Sequence, residues 1–210
     1  MKFAPNNIYH IYNHGNNQQI IFRDNDDYLT FLRLTRNHIL PHAELIAWCL
    51  MPNHFHFLVY TDKRSCAMMK QGGLKIEKLV NGIRKLLSGY ARIFNKRYHQ
   101  TGSVFRQKTK AKNILDENLL VNNKYTLQDY CSNCFSYIHQ NPAVAGLVKL
   151  PGDWLFSSYL DFAGLRKGSL CNKELAAKYC YYDCRDFISL SNKKLGDDFL
   201  ESFQKDDYKV

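Results

Sequence analysis

The chain has 210 residues, 45% of them apolar and 23% charged, with a formal net charge of +10. That length suits one domain with a substantial core, and the composition is that of a globular protein rather than a fibrous or disordered one. No stretch reaches the roughly 20 apolar residues of a membrane helix, and MKFAPNNIYH has no signal-peptide h-region, so a cytoplasmic protein is expected.

In chain order, Ile8–Tyr12 reads as a first strand, followed by a polar turn at Asn13–Gln19. Asp24-Asn25-Asp26-Asp27 supplies N-cap candidates for a helix over Tyr28–Ile39, with Leu29, Leu32 and Ile39 on its apolar side and Pro41 beyond its end. Leu45–Leu50 and His54–Tyr60 are apolar runs separated by the turn-rich Met51-Pro52-Asn53, and they read as two adjacent strands. Lys63–Gly73 is expected to be a polar linker with a Gly-Gly pair. Leu74–Tyr98 has helical spacing, its apolar side formed by Leu79, Ile83, Leu86, Leu87, Tyr90, Ile93 and Phe94. Ser103–Leu115 alternates enough for a further strand, Asp116–Thr126 is a polar connection, and Leu127–Gln140 is a helix stopped by Asn141-Pro142. The order β-α-β-β-α-β, then a helix, predicts an α+β, ferredoxin-like split-βαβ fold. Its sheet would be mainly antiparallel, with two helices on one face and the last helix against the strand that carries the histidines.

Three features carry chemistry. His54-Phe55-His56 places two imidazoles on one face of a strand, a natural start for a divalent-metal site, although a single H-x-H also arises by chance among eight histidines. The charge is segregated: Lys63–Lys112 holds fourteen Lys and Arg against Glu77 alone, a local charge of +13, which leaves −3 for the remainder. Interleaved with Tyr90, Phe94, Tyr98 and Phe105, this block suits a polyanion with stackable bases. Candidate phosphate contacts are Arg84, Lys85, Arg92, Lys96, Arg97, Arg106, Lys108, Lys110 and Lys112. Third, Tyr137 and Asn141 stand one turn apart on a helix face: a phenol able to attack an activated phosphodiester, and a neutral oxygen ligand. Taken singly, Tyr137 also reads as a packed tyrosine and Asn141 as a helix cap. His139 and Gln140 read as packing or capping residues. The seven cysteines fit free thiols better than disulfides, and Cys131-x-x-Cys134 with Cys180-x3-Cys184 makes a poor zinc site.

Together these stretches resemble the single-tyrosine HUH transposases, and most closely the REP-associated tyrosine transposases of bacteria. The likeness rests on Tyr9–Asn17 with Ile21–Asp24, Trp48–His56, Tyr90–Asn95, Gly102–Arg106, Tyr137–Pro142 with Ala145–Val148, and Trp154–Tyr159, in that order over residues 5–165. It implies a transposase domain over residues 1–165 and an extension of unknown role over 166–210. It also implies His54, His56 and Asn141 as ligands of Mg²⁺ or Mn²⁺, and Tyr137 as the nucleophile that forms a 5′-phosphotyrosine and frees a 3′-OH. The implied substrate is single-stranded DNA beside hairpin or palindromic repeats, and a homodimer is expected. Asn113–Phe135 is about a dozen residues longer than a short connection would be. Three rival readings stand beside it: a non-catalytic nucleic-acid binder that retains the fold, a metallonuclease in which water attacks, and a ribonuclease or RNA-binding module.

Overall fold

A computed structural model describes residues 1–116, 126–193, 195, 196, 199 and 200. Strand β1 (Asn7–His14) leads through a 3-10 turn at Asn16–Gln18 into helix α1 (Asn25–His38), and β2 (Glu44–Met51) and β3 (His54–Thr61) follow. Next come the short α2 (Lys63–Cys66), the hairpin β4 (Met68–Gln71) and β5 (Leu74–Glu77), the long α3 (Lys78–Arg97) and β6 (Lys110–Asn113). Helix α4 (Leu127–Val144) carries Tyr137, and a 3-10 turn at Pro151–Asp153, α5 (Tyr159–Phe162), α6 (Lys173–Cys180) and α7 (Phe187–Ser191) follow.

The main sheet has the order β2-β3-β1-β6, and every neighbouring pair is antiparallel. β3 lies between β1 and β2, the two strands joined by α1, which is the split βαβ arrangement expected from the element order. Because strand side chains alternate, one face of the sheet carries Tyr9, Ile11, Trp48, Leu50, Phe55 and Phe57. They pack with Phe31 of α1 and Leu79, Ile83, Leu86 and Tyr90 of α3. The opposite face carries Ile8, Ile46, Cys49 and Leu58 and is covered by α4 through Tyr130, Cys131, Cys134 and Ile138. β3 is thus buried on both sides, so its sequence reads as a near-continuous apolar run in which the two histidines occupy the α4 face.

Local differences from the sequence reading have physical causes. Lys63–Gly73 is not a linker. Asp62 caps α2 by accepting from the Arg64 and Ser65 N–H groups, and Gly72 and Gly73, at φ +54° and +82°, form the two-residue turn of the β4–β5 hairpin. Consequently α3 begins at Lys78, after β5, rather than at Leu74. α1 begins three residues earlier than Tyr28, because Asp24 accepts from the Asp27 N–H. Its buried stripe runs through Tyr28, Phe31 and Thr35, while Leu29 is exposed. On α3, Ile93 faces outward as well.

Only Lys110–Asn113 of the Ser103–Leu115 stretch is a strand. Ahead of it, Phe105 makes an isolated bridge to Gly15, and Asn13 holds the segment by donating to the Arg106 carbonyl and Thr109 Oγ1. Pro142 does not stop α4, which continues to Val144: a proline in the last turn removes a single helical bond. Most of the expected connection Asp116–Thr126 lies outside the described residues, but Thr126 N-caps α4 in a reciprocal box with Asp129. Part of the extra length before Tyr137 is therefore helix, Leu127–Phe135 being the first half of α4. The outer edge of β2 is covered too, by Phe156–Ser158 and by Asn172, whose N–H donates to the Leu45 carbonyl.

Candidate active site

The chemistry-bearing residues gather on the α4 face of the sheet, near the end of β3 where it begins. Register places His14 opposite His54 and Tyr12 opposite His56, with His10 one pleat further along. The His14 and His54 rings stack at 4.6 Å between centroids, and those of His10 and His56 at 5.0 Å. His10 Nε2 and His56 Nδ1 share a hydrogen bond of 2.8 Å. His54 Nδ1 lies 2.6 Å from Asn53 Oδ1. Each proposed ligand therefore has one ring nitrogen committed to a neighbour, which orients the other.

From α4 the Tyr137 ring meets this cluster edge-on, 5.8 Å from His56 and 6.3 Å from His10. Asn141 is buried one turn on. The helix is held there by Ile138 on the sheet and, away from the site, by Gln140, which donates to the carbonyls of Ser191 and Lys193. His139 is packing, as its position suggests: it is fully buried among Phe135, Phe162 and Phe187, with Nε2 2.7 Å from Ser158 Oγ. Tyr137 itself is 4% exposed.

Burial dominates the electrostatics. It pushes His10 and His54 down to about 3 and holds His56 well below the usual imidazole range. His14 falls to about 4 through burial and the nearby Arg106 guanidinium. All four rings are neutral at pH 7, and His56 keeps its Nε2 lone pair for a cation in the tautomer whose Nδ1–H donates to His10 Nε2.

Three buried side-chain nitrogens here have no hydrogen-bond partner among the described residues: His14 Nε2, His56 Nε2 and Asn141 Nδ2. Such groups cost about 1–3 kcal/mol each unless something binds them, and exchanging the Asn141 amide atoms would present an oxygen instead. The donor set of two imidazoles and an amide fits a divalent cation. It is a weak set for a hard one, and among the described residues no group of three His, Cys, Asp or Glu side chains could hold a metal ion. The cysteines form no such group either. Cys131, Cys134 and Cys180 are buried, with Cys131 and Cys180 sulfurs 3.6 Å apart, while Cys184 is exposed.

The basic residues divide between two faces. Lys110 and Lys112, in register with Tyr12 and His10, lie on the histidine face, and Lys112 Nζ sits 5.7 Å over the Tyr130 ring. Arg84, Lys85, Arg92 and Lys96 are exposed along α3. Arg97 instead forms ion pairs with Asp24, Asp26 and Asp27 at the start of α1. A cavity of about 380 Å³ opens beside the histidines, lined in part by His14, Asn53, His54, Arg106 and Leu147. Sequence reasoning assigned no role to His10, Tyr12 or His14. The signal was present: the H-x-Y-x-H alternation of β1 repeats the period of His54 and His56.

No protein-family model and no curated protein matches this chain. Among solved structures it is similar to a REP-associated tyrosine transposase bound to a REP hairpin, with a TM-score of 0.52 and 15% identity. The match covers 82% of this chain and 92% of the other. That likeness is one of fold. It agrees with the antiparallel sheet and helical layers described above, and at this identity it carries no residue roles. No described helix is long and apolar enough to cross a membrane.

Proposed function

We propose that this protein is a metal-dependent single-stranded DNA endonuclease and strand transferase acting beside hairpin or palindromic repeats, with Tyr137 as its covalent nucleophile. The observation that carries the reading is the placement of a helical tyrosine ring 5.8 Å from one of a pair of strand histidines, with Asn141 one turn away. A fold shared with a hairpin-bound tyrosine transposase supports the same reading.

On this reading His54 and His56, whose rings burial keeps unprotonated, and the Asn141 amide oxygen would hold a divalent cation, Mg²⁺ or Mn²⁺. When bound, the cation polarises and orients the scissile phosphodiester. Tyr137 Oη bonds to phosphorus, the bond from phosphorus to the 3′-oxygen breaks, and the phenol proton passes to that oxygen to give a free 3′-OH. Attack by another 3′-OH reverses the step and joins strands without ATP. Tyr137 is 4% exposed, so the packing around it must open where its hydroxyl meets the phosphate. Lys110 and Lys112 offset charge on the same face, and Arg84, Lys85, Arg92, Lys96 and Lys108 supply salt-dependent affinity without base choice.

The test is a denaturing-gel assay with Mn²⁺ and single-stranded hairpin oligonucleotides drawn from repeats flanking the gene. A covalent protein–DNA adduct is expected, absent in Tyr137→Phe and in His54→Ala. Cleaved DNA with no adduct would move the attack to water. Tight binding with neither product would leave a DNA-binding protein that retains the fold.

A further inference from the structure

Away from the histidines, α3 and the Ser103–Ala111 segment enclose a groove of about 820 Å³. Its floor is apolar: Val80, Leu87 and Ala91 from one stripe of α3 face Val104 and Phe105. Its rim is cationic, with Arg84, Arg106 and Lys108, and no carboxylate pairs with any of them among the described residues. Arg84 is steadied by Asn81 Oδ1, which accepts from its guanidinium at 2.9 Å. The groove belongs to the segment whose charge is +13, so the charge concentrated there has a concave surface to act on.

The groove also has a direction. Arg106 lines it and lines the cavity that contains His14 and His54. The place of Arg106 is fixed on both sides of its peptide unit: its N–H donates to the His14 carbonyl, and its carbonyl accepts from Asn13 Nδ2. The two depressions therefore share one residue whose backbone is anchored.

We propose that this groove binds a single-stranded DNA segment leading away from the cleaved phosphodiester, a site that deepens and rests on the functional reading above. Phosphates of that segment contact Arg106, Arg84 and Lys108, and its unpaired bases lie on the apolar floor. A duplex stem fits less well, because its bases are stacked inward and only its phosphates would meet the protein. Cationic rims over surfaces that accept base faces are the usual means of holding single strands, at about four or more nucleotides per site.

Anisotropy titrations would compare a hairpin oligonucleotide without tails against the same hairpin with ten-nucleotide 5′ or 3′ tails. The quantity read is the ratio of untailed to tailed Kd within each protein. The wild type should gain about tenfold or more from one tail polarity. Ser88→Trp, which fills the groove from its exposed edge, and Arg84→Glu should reduce that ratio to near unity. Lys178→Glu on α6 makes the same charge change elsewhere and should keep the ratio. Matching thermal unfolding of the variants separates these effects from misfolding. An unchanged ratio in Ser88→Trp, or no gain from either tail, overturns the proposal. The adduct assay fails separately: a groove-dependent tail gain without any adduct would keep this site and remove the endonuclease reading.

Discussion

His10 shows how much a single buried side chain decides in this site. Its 2.8 Å bond to His56 Nδ1 fixes that ring beside Tyr137 and leaves His56 Nε2 without a hydrogen-bond partner among the described residues. Removing such a supporting group typically costs about 10–100-fold in metal affinity. His10→Phe should weaken Mn²⁺ binding to the DNA-bound protein by that order in calorimetry. Unchanged affinity would show that His56 needs no such orientation. Burial of His10, His54, His56 and His139 also has a pH consequence, since all four fold with depressed pKa values. The unfolded chain binds protons near pH 6.5 that the folded chain does not take up until about pH 3 at His10, His54 and His139, and until well below the usual imidazole range at His56. Stability is therefore complete above pH 7 and is lost as pH falls through that window. The slope approaches about 1.4 kcal/mol per pH unit for each histidine. Urea midpoints at pH 7.5, 6 and 5 should fall in that order, and a flat series would contradict the burial.

At the scale of elements, two packings position the site. α1 and α3 approach so closely that a Cβ on Gly82 would stand 2.2 Å from the His38 carbonyl oxygen. Gly82→Ala should force the helices apart and destabilise the protein by about 1–3 kcal/mol, read as a shifted denaturant midpoint with an unchanged slope. α4 depends on Gln140, whose amide serves the carbonyls of Ser191 and Lys193. Gln140→Ala leaves both without that donor and should cost about 1–3 kcal/mol. Full stability in that variant would show that α4 is held by its apolar contacts alone.

For the whole molecule, the decisive property is the distribution of charge. Hairpin affinity should fall steeply with salt, and Arg92→Ala should lower the slope of log K against log salt by about 1. Arg97→Ala should leave that slope unchanged and lower Tm, because Arg97 already serves three aspartates. Equal effects of the two substitutions on the salt slope would refute this division of the basic block.

Period-two and helical patterns made the sheet, α1, α3 and the tyrosine helix legible in the sequence, because backbone geometry imposes those periods wherever one face is buried. His54, His56, Tyr137 and Asn141 stood out for the same reason: each pair is a neighbour on its own element. Charge segregation was equally plain, being a count. The sequence did not show that His10 and His14 join the cluster, since strand pairing across some forty residues depends on register. It did not show that the basic block divides between two faces, or that Arg97 is consumed by Asp24, Asp26 and Asp27, since partners 70 residues apart meet only when α1 docks on α3. The β4–β5 hairpin was hidden by its polar composition. Local preferences determine elements, whereas contacts between distant segments are set by how whole faces pack, and that is where this site was completed.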